Sequence, residues 1–413
     1  MTTTVSYVQV RSGQRLGGKL LLWAFGFAPV VQIVLTLGVH TSPATLQIKT
    51  DAWSLVAVEI AVILIAFVEG ARFRLPRLAV ALLLAFGVLA WWTAATAASP
   101  SFSLRHTALW MVHLLFGWAI CQLSFIDAEE AAHGFLAGFA AFALLLAAYV
   151  GQLLPLASYN WSQDLPGFGN LRRFGFYAAP AAAMCFGFVA LTPRRWWLWG
   201  GVSATAFAIT FWTGSRGAVW ALIAGLSVTA AIFPAARSLR AAGVTIGAAL
   251  TGLAIAAAVP PISSQPIGRF GRLDGNGREE IWAAAMQAIS ARPWFGHGEA
   301  QAFLALDWPP WMSIMPHPHN VVLQVLLAWG VVGAALLGLL GFMLGRVVVR
   351  HAQSDPRLLP VLAAVIVLAA YSMIDGTLYG IHPTSVFAMG IGLASRSPRL
   401  NVRAARPASP AWI

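Results

Sequence analysis

Charged residues are scarce in this sequence. Asp, Glu, Lys and Arg make up 10% of its 413 residues, against 59% hydrophobic residues, whereas soluble domains carry roughly 25% charged residues. A soluble globular protein is therefore excluded by composition. Cysteine is scarce too: Cys121 and Cys185 both fall in apolar runs, which argues against a disulfide framework or a cysteine-based metal site.

Acidic residues are particularly few. The chain has 14 Asp and Glu against 26 Lys and Arg, a net charge of +12. Such an excess raises nucleic acid as a partner, so the position of the basic residues decides the matter.

What the sequence has in abundance is apolar runs long enough to cross a bilayer, which takes about 20 residues each. They lie at 20–39, 52–69, 78–97, 107–125, 132–154, 174–191, 196–213, 217–234, 241–259, 320–344, 358–374 and 377–395. These runs predict an all-α integral membrane protein with about 12 transmembrane helices. The divisions are an N-terminus (1–19), nine spans (20–259), one large loop (260–318), three spans (319–395) and a tail (396–413).

The orientation of the spans follows from Lys and Arg, which are retained on the cytoplasmic side of short loops. With both termini in the cytoplasm, most of the 26 basic residues lie on that side. The positive charge is then mostly a signal of topology, and no nucleic acid partner is expected. The first apolar run has spanning length and lacks a small-residue cleavage pattern, so it predicts a span and no cleavable signal peptide.

The large loop lies on the outer side and contains one predicted helix, at about 278–291. Asn276 is its expected N-cap, and Ala291-Arg292-Pro293 ends it. The expected apolar face, which would pack on the bundle or lie on the bilayer surface, consists of Ile281, Trp282, Ala285, Met286 and Ile289.

His319-Asn320, at the start of the tenth span, is the sharpest polar feature. A His at a membrane boundary can act as a general base near neutral pH. The alternative is a solvated His beside a capping Asn. His297, His317 and His319 could also form a metal site, but zinc needs three or four well-spaced ligands and Pro318 stiffens the His-Pro-His segment, so no metal is expected.

Several arginines on the outer side form the second polar feature. Their guanidinium groups match phosphate oxygens in a bidentate manner, although each could instead pair with a nearby acid or with lipid phosphate. Arg216 stands out because it lies in the short turn Thr213-Gly-Ser-Arg-Gly217. The other candidates are Arg172, Arg173, Arg272 and Arg278.

Two acids need explanation. Glu59 lies in the middle of the second span, where a carboxyl group must be paired or protonated. Asp375 lies in the turn between the last two spans, where it could hold an arginine, orient His319, or form an Asp-Gly turn with Gly376.

Together these features resemble the O-antigen ligase/polymerase superfamily of bacterial membrane glycosyltransferases. That family combines about a dozen spans with one large periplasmic loop that contains short helices and an essential His. Its ligases show His-Asn, nine residues and Gly-x-x-Gly, as do His319-Asn320 and Gly330-Val-Val-Gly333 here, although Ala334 departs from the usual next residue. Ser215-Arg216-Gly217 resembles the family's Ser-Arg-Gly turn. Arg278, followed by Ile281-Trp282 and Gly296-His-Gly298, resembles its loop arginine.

The resemblance implies a metal-independent, cofactor-free inverting transferase in the bacterial inner membrane, with its active site facing the periplasm. The donor would be a glycan on a polyprenyl diphosphate, and the acceptor a lipid A-core sugar or the end of another glycan chain. His319 would be the catalytic base, and Arg216 and Arg278 would bind the diphosphate, with Arg172, Arg173 and Arg272 as further candidates. His317, Asp375 and Asn320 would support the base or face the acceptor.

Two alternatives stay open at this point. Ligase and polymerase share this chemistry and differ only in the acceptor. A transporter or flippase of a lipid-linked anionic substrate is the alternative from another class, and it predicts repeats, broken helices and polar residues at the midplane of the membrane.

Overall fold

The computed structural model describes residues 12–36, 53–71, 76–123, 125–152, 171–259, 277–301 and 317–396. These residues form thirteen α-helices and several short 3-10 turns, and no strand occurs among them, which confirms the all-helical prediction. The helices are α1 (Ser12–Leu35), α2 (Trp53–Val68), α3 (Arg77–Ala95), α4 (Pro100–Gln122), α5 (Ala128–Gln152), α6 (Gly175–Leu191), α7 (Trp196–Trp212), α8 (Arg216–Ile232), α9 (Leu239–Ala258), α10 (Arg278–Ala291), α11 (Val321–Ser354), α12 (Leu359–Ser372) and α13 (Ile381–Ala394).

Each of the twelve predicted apolar runs holds one of these helices, and α10 is the helix predicted in the large loop. By length and composition, five helices of the described chain can cross a membrane, which indicates a multi-pass membrane protein. They are α1 from Gly17, α3, α5, α9 and α11. The count of twelve spans and the side on which the loop lies stay predictions.

Small residues allow the helices to approach closely around α6, which is the most deeply buried of them. Fifteen consecutive residues of α6, Gly175–Val189, are buried. Nearby, α1 and α5 meet at Gly26 and Gly138, where a Cβ on Gly138 would lie 1.9 Å from the carbonyl oxygen of Gly26. Helices in lipid associate through such close packing, because lipid offers no hydrophobic drive for association.

The expected pairing of Glu59 is confirmed. Its carboxylate lies 2.9 Å from Nδ1 of His113, and both side chains are almost completely buried. Glu59 lies on α2 and His113 on α4, so the pair also joins these two helices.

The helix in the large loop begins and ends close to its predicted bounds, but its N-cap is different. Gly277, with a φ of 77°, caps α10 without a side-chain hydrogen bond, so the prediction of Asn276 as the cap is wrong. Ile281, Ala285 and Ile289 are buried as predicted, whereas Met286 is 51% exposed.

Helix α11 departs most from expectation, because it is broken at Gly330 and extends to Ser354 instead of ending near 344. Gly330 has a φ of 63° and a ψ of −166°. Two glycines spaced like Gly330 and Gly333 would suit the close packing of two helices. Instead, Gly330 ends a first helical segment, and its Cα faces the loop after α10, where a Cβ would lie 2.3 Å from the carbonyl carbon of Trp294.

The loop after α10 satisfies the backbone groups that this break leaves without helical partners. His297 N donates to Leu327 O (2.8 Å) and Gly298 N to Ala328 O (2.9 Å). On the other side of the break, Val331 N donates to Pro293 O (2.8 Å). Buried backbone polar groups require such partners, so residues 293–298 and the two halves of α11 form one unit.

Candidate active site

Four segments that are distant in sequence meet at one end of the bundle. They are the start of α6, the α7–α8 turn, the residues before α11, and the α12–α13 turn. A Cβ on Gly175 would lie 2.9 Å from the hydroxyl of Tyr371 and 3.2 Å from Oγ of Ser215. A Cβ on Gly217 would lie 3.7 Å from Oδ2 of Asp375. The sequence places all four segments on the same side of the membrane, so their meeting agrees with the predicted topology.

Asn320 caps α11 and fixes the position of the residue before it. Its Oδ1 accepts hydrogen bonds from Val322 N (2.9 Å) and Leu323 N (3.1 Å). Its Nδ2 donates to the carbonyl of Met373 (2.9 Å), which ties the helix start to the α12–α13 turn. The capping role considered from the sequence is therefore confirmed.

His319 adopts a backbone conformation that is unusual for a residue other than glycine. Its φ is 55°, in the left-handed region that costs a side-chain-bearing residue of order 1–3 kcal/mol. This conformation turns the imidazole toward Asp375: Nδ1 lies 2.7 Å from Oδ1 of the carboxylate. Of the three roles considered for Asp375, orienting His319 is one that the structure contains.

The other two roles of Asp375 are present as well. Its Oδ1 also accepts a hydrogen bond from Gly376 N (2.8 Å), as in an Asp-Gly turn, and its Oδ2 lies 3.7 Å from Nη2 of Arg278. Burial alone would raise the pKa of Asp375. The hydrogen bond and charge of His319, together with the charge of Arg278, outweigh burial and lower the pKa to about 2.

Arg278 reaches this site because it is the first residue of α10. The left-handed Gly277 turns the chain there, and one turn later Trp282 Nε1 donates to the carbonyl of Pro318 (2.9 Å). That bond fixes α10 beside the segment that carries His319. Arg278 and His319 therefore both lie beside Asp375.

His317 is buried behind His319. Its ring is 4.4 Å from that of His319 and 4.8 Å from that of Tyr379. The backbone of Gly376 lies against a third side, where a Cβ would be 2.1 Å from Cε1. Burial lowers the pKa of His317 well below its usual value, and the charges of His319 and Arg173 act in the same direction. His317 is therefore neutral, and Arg173 lies close enough to influence it.

The remaining predicted arginines differ in what the structure shows. Arg216 is half-buried in the turn whose next residue, Gly217, packs toward Asp375. The side chain of Arg172 and the whole of Arg272 lie outside the described residues.

Sequence reasoning did not identify the pair Tyr379 and His106. The hydroxyl of Tyr379 lies 3.2 Å from Nδ1 of His106 on α4, across 273 residues of sequence. Through its ring contact with His317, Tyr379 belongs to the surroundings of the site. No pattern in the sequence links two positions so far apart, so this contact could not be predicted.

The third histidine of the metal hypothesis has a different role. His297 is buried, and its Nε2 lies 2.9 Å from the carbonyl oxygen of Ala288, so it holds the loop to α10. Among the residues that the structure describes, no three His, Cys, Asp or Glu side chains are grouped so that they could hold a metal ion.

The arrangement suits proton transfer next to an anion. A carboxylate that accepts from Nδ1 of His319 fixes the imidazole in one tautomer and leaves Nε2 as the basic nitrogen. Arg278, beside the same carboxylate, and Arg216, in the adjoining turn, add positive charge. Such a site can remove a proton from a hydroxyl group and stabilise negative charge that develops on a leaving group.

Known proteins share the part of the chain that contains most of this site. A family model described as O-Antigen ligase matches residues 201–338. An O-antigen ligase from Pseudomonas aeruginosa is 31% identical over 129 residues, which cover 30% of this chain and 28% of that protein. The alignment thus spans less than a third of either protein. The matched residues 201–338 include Arg216, Arg278 and His319-Asn320, so this part of the chain is similar to the O-antigen ligase family.

Proposed function

We propose that this protein is an inverting glycan transferase of the bacterial inner membrane whose active site faces the periplasm. It would move an oligo- or polysaccharide from a polyprenyl diphosphate onto a sugar hydroxyl in the biosynthesis of surface polysaccharide. The observation that carries the proposal is the contact of His319 with Asp375, with Arg278 on the other carboxylate oxygen.

His319 is the general base of the proposed reaction. Its Nδ1–H donates to Asp375, so Nε2 takes the proton of the acceptor hydroxyl while that oxygen bonds to the anomeric carbon of the donor sugar. The bond from this carbon to the diphosphate oxygen breaks, and its electron pair leaves with the diphosphate. Attack opposite the leaving group inverts the anomeric carbon.

Arginines stabilise the leaving diphosphate. Arg216 and Arg278 come from two different segments beside Asp375 and can bind phosphate oxygens from two directions. Arg173 lies close enough to His317 for its charge to lower the pKa of that ring. We propose that this charge takes the place of a metal ion and that the reaction requires no cofactor.

The acceptor determines whether the protein is a ligase or a polymerase. A lipid A-core sugar would make it an O-antigen ligase, and the end of another lipid-linked chain would make it a polymerase. The glycan profile of a deletion strain separates them: free long chains indicate a lost ligase, and a single repeat on the core indicates a lost polymerase.

A transporter or flippase is the second candidate, because α11 is broken at Gly330 and broken helices are common in transporters. The backbone groups freed by this break bind the loop at 293–298. In a transporter they would line a path for the substrate. The break therefore favours a structural role. The polar side chains around His319 also lie at the ends of helices, away from the middle of a span.

Reconstitution tests the proposal directly. Purified protein in vesicles, given a polyprenyl-diphosphate glycan and a lipid A-core acceptor, should transfer glycan, and His319→Ala should abolish transfer at unchanged protein level. The matched control is His133→Ala, since His133 binds Glu129 O at the start of α5. Full transfer by His319→Ala would contradict the assignment. Movement of the donor across the vesicle membrane without glycan transfer would favour the flippase.

The side of the membrane can be tested separately. Glu279 is exposed on α10, so Glu279→Cys in a background with Cys121→Ser and Cys185→Ser should react with an impermeant thiol reagent added to whole spheroplasts. Reaction only after the membrane is opened would place the site in the cytoplasm.

A further inference from the structure

The loop at 296–301 and the start of α11 share a cluster of buried polar side chains, and the proposed reaction does not use it. Glu299 and Gln301 are completely buried there, and Gln324 on α11 is 6% exposed. Nε2 of Gln324 donates to Oε1 of Glu299 (2.8 Å). A carboxyl group in such a place needs either a counter-charge or a proton.

The polar atoms without partners in this cluster show a pattern. Within the described chain, Oε2 of Glu299 and Oε1 of Gln324 are both buried and have no hydrogen-bond partner. They belong to the two side chains that already share one hydrogen bond. With a proton on Oε2, Glu299 would donate to Oε1 of Gln324 while accepting from its Nε2. One proton thus satisfies both atoms, as in a reciprocal pair of a carboxylic acid and an amide.

Among the residues that the structure describes, no positively charged group contacts Glu299 to hold it ionised. The ionisable groups on the neighbouring helix α4 are directed elsewhere: Arg105 lies over the ring of Trp53, His106 contacts Tyr379, and His113 pairs with Glu59. In its own loop, His297 binds Ala288 O. Thr93 and Ser103 approach Gly298 from α3 and α4, and neither carries charge.

We infer that Glu299 is protonated and forms a reciprocal acid–amide pair with Gln324, which locks the loop against the first turn of α11 and so positions His319. Glu299 is in this view a positioning residue. The link to His319 is short: Gln324 N donates to Asn320 O (2.9 Å), and Asn320 directly follows His319. The lock itself is independent of the proposed transferase, whereas its effect on His319 rests on it.

The electrostatics agree with this geometry. Burial raises the pKa of Glu299 to about 7, and polar contacts from Gln324, Trp110 and the backbone of Ala300 lower it less. Between the ordinary pKa of a carboxyl group and this value, the folded protein holds a proton that the unfolded chain releases. Stability is therefore greatest below the ordinary pKa and falls as the pH rises toward 7.

Glu299→Gln tests the lock, because an amide reproduces the reciprocal pair and cannot ionise. In detergent, the unfolding midpoint of the wild type should fall between about pH 5 and pH 8. In Glu299→Gln, the part of this fall that comes from ionisation of Glu299 should be absent. The control Glu280→Gln, at an exposed position of α10, should show the full fall. An equal fall in the wild type and Glu299→Gln would overturn the inference.

Infrared spectroscopy of the wild type gives an answer even if a variant fails to fold. A protonated carboxyl band should be present at pH 6, disappear on alkaline titration, and shift in frequency in Gln324→Met. No such band at pH 6 would overturn the inference.

The positioning role has its own measurement. In reconstituted protein, kcat should fall on the alkaline side in the wild type and stay higher in Glu299→Gln, with little change in the KM for donor. Identical pH profiles would refute the positioning role. Absence of any transfer in the wild type would count against the proposed function, while the midpoint and infrared results would still decide the lock.

Discussion

Nδ1 of His319 lies 2.7 Å from Oδ1 of Asp375, although 56 residues separate the two. The contact joins the start of α11 to the α12–α13 turn. It is reinforced by Asn320, which binds the carbonyl of Met373 in the same turn. The position of His319 is therefore set by the turn between α12 and α13, and Asp375 lies outside the segment that matches the O-Antigen ligase family model.

Asp375→Asn should lower transfer by about 10²–10⁴-fold, the range that general-base catalysis contributes. An amide can donate to the imidazole and favour the wrong tautomer, while the volume of the side chain is unchanged. The measurement is kcat at saturating donor. The matched control is Asp355→Asn, which breaks an Asp–Arg pair at the far end of α11 and should leave kcat unchanged.

The same substitution should alter the stability of the protein in acid. The pKa of Asp375 is depressed to about 2, so its ionised form stabilises the fold above the ordinary carboxyl pKa near 4. That contribution is lost as the pH falls from about 4 toward 2. Unfolding of Asp375→Asn should show less dependence on pH in this window, and identical acid limbs would contradict the assignment.

Arg278→Lys should weaken donor binding by about tenfold or more, although the charge is kept. The guanidinium group lies 3.7 Å from Asp375 and can present several N–H donors to the diphosphate, whereas an ammonium group is a point charge. The measurement is KM for the polyprenyl-diphosphate donor. Arg357→Lys, in a pair with Asp355, is the control. An unchanged KM in Arg278→Lys would remove Arg278 from the diphosphate site.

How much of this structure can be predicted from the sequence depends on how far apart in the chain the interacting residues lie. Apolar runs predict the helices, because each run is a local property that the bilayer requires. His319, Arg216 and Arg278 could be identified because they stand beside recognisable local patterns. The role of Asp375 stayed open among three options, since nothing local says which distant groups the turn will meet.

The two main surprises also have physical causes. Gly330-Val-Val-Gly333 reads as a site of close helix packing, and only the neighbouring loop shows why the helix breaks there. Glu299 lies between Gly298 and Ala300, and nothing in this local sequence indicates that it is buried. Its burial depends on α3, α4 and α11 closing around it, which the local sequence does not contain.

Gly376→Ala should reduce transfer by about 10²-fold, the cost of displacing a catalytic group by about 1 Å. The added Cβ would lie 2.1 Å from Cε1 of His317. That ring is only 8% exposed and must move toward His319. Adding His317→Ala should restore space, so kcat should be higher in the double variant than additivity predicts. Strictly additive losses would show that His317 does not transmit the effect.

Gly330→Ala should destabilise the protein by about 2 kcal/mol or more, because a side chain in the left-handed region is strained. The Cβ would also overlap the carbonyl group of Trp294 at 2.3 Å. The loop at 293–298 would then lose its hydrogen bonds to α11.

Gly338→Ala is the matched control in the same helix, since a Cβ there meets nothing within 4 Å, and alanine favours helix. In detergent, the midpoint of thermal unfolding should therefore be lower in Gly330→Ala than in the wild type. In Gly338→Ala it should be unchanged or slightly higher. Equal midpoints would mean that the break in α11 is absent in the folded protein, and the support of His319 by this loop would fall with it.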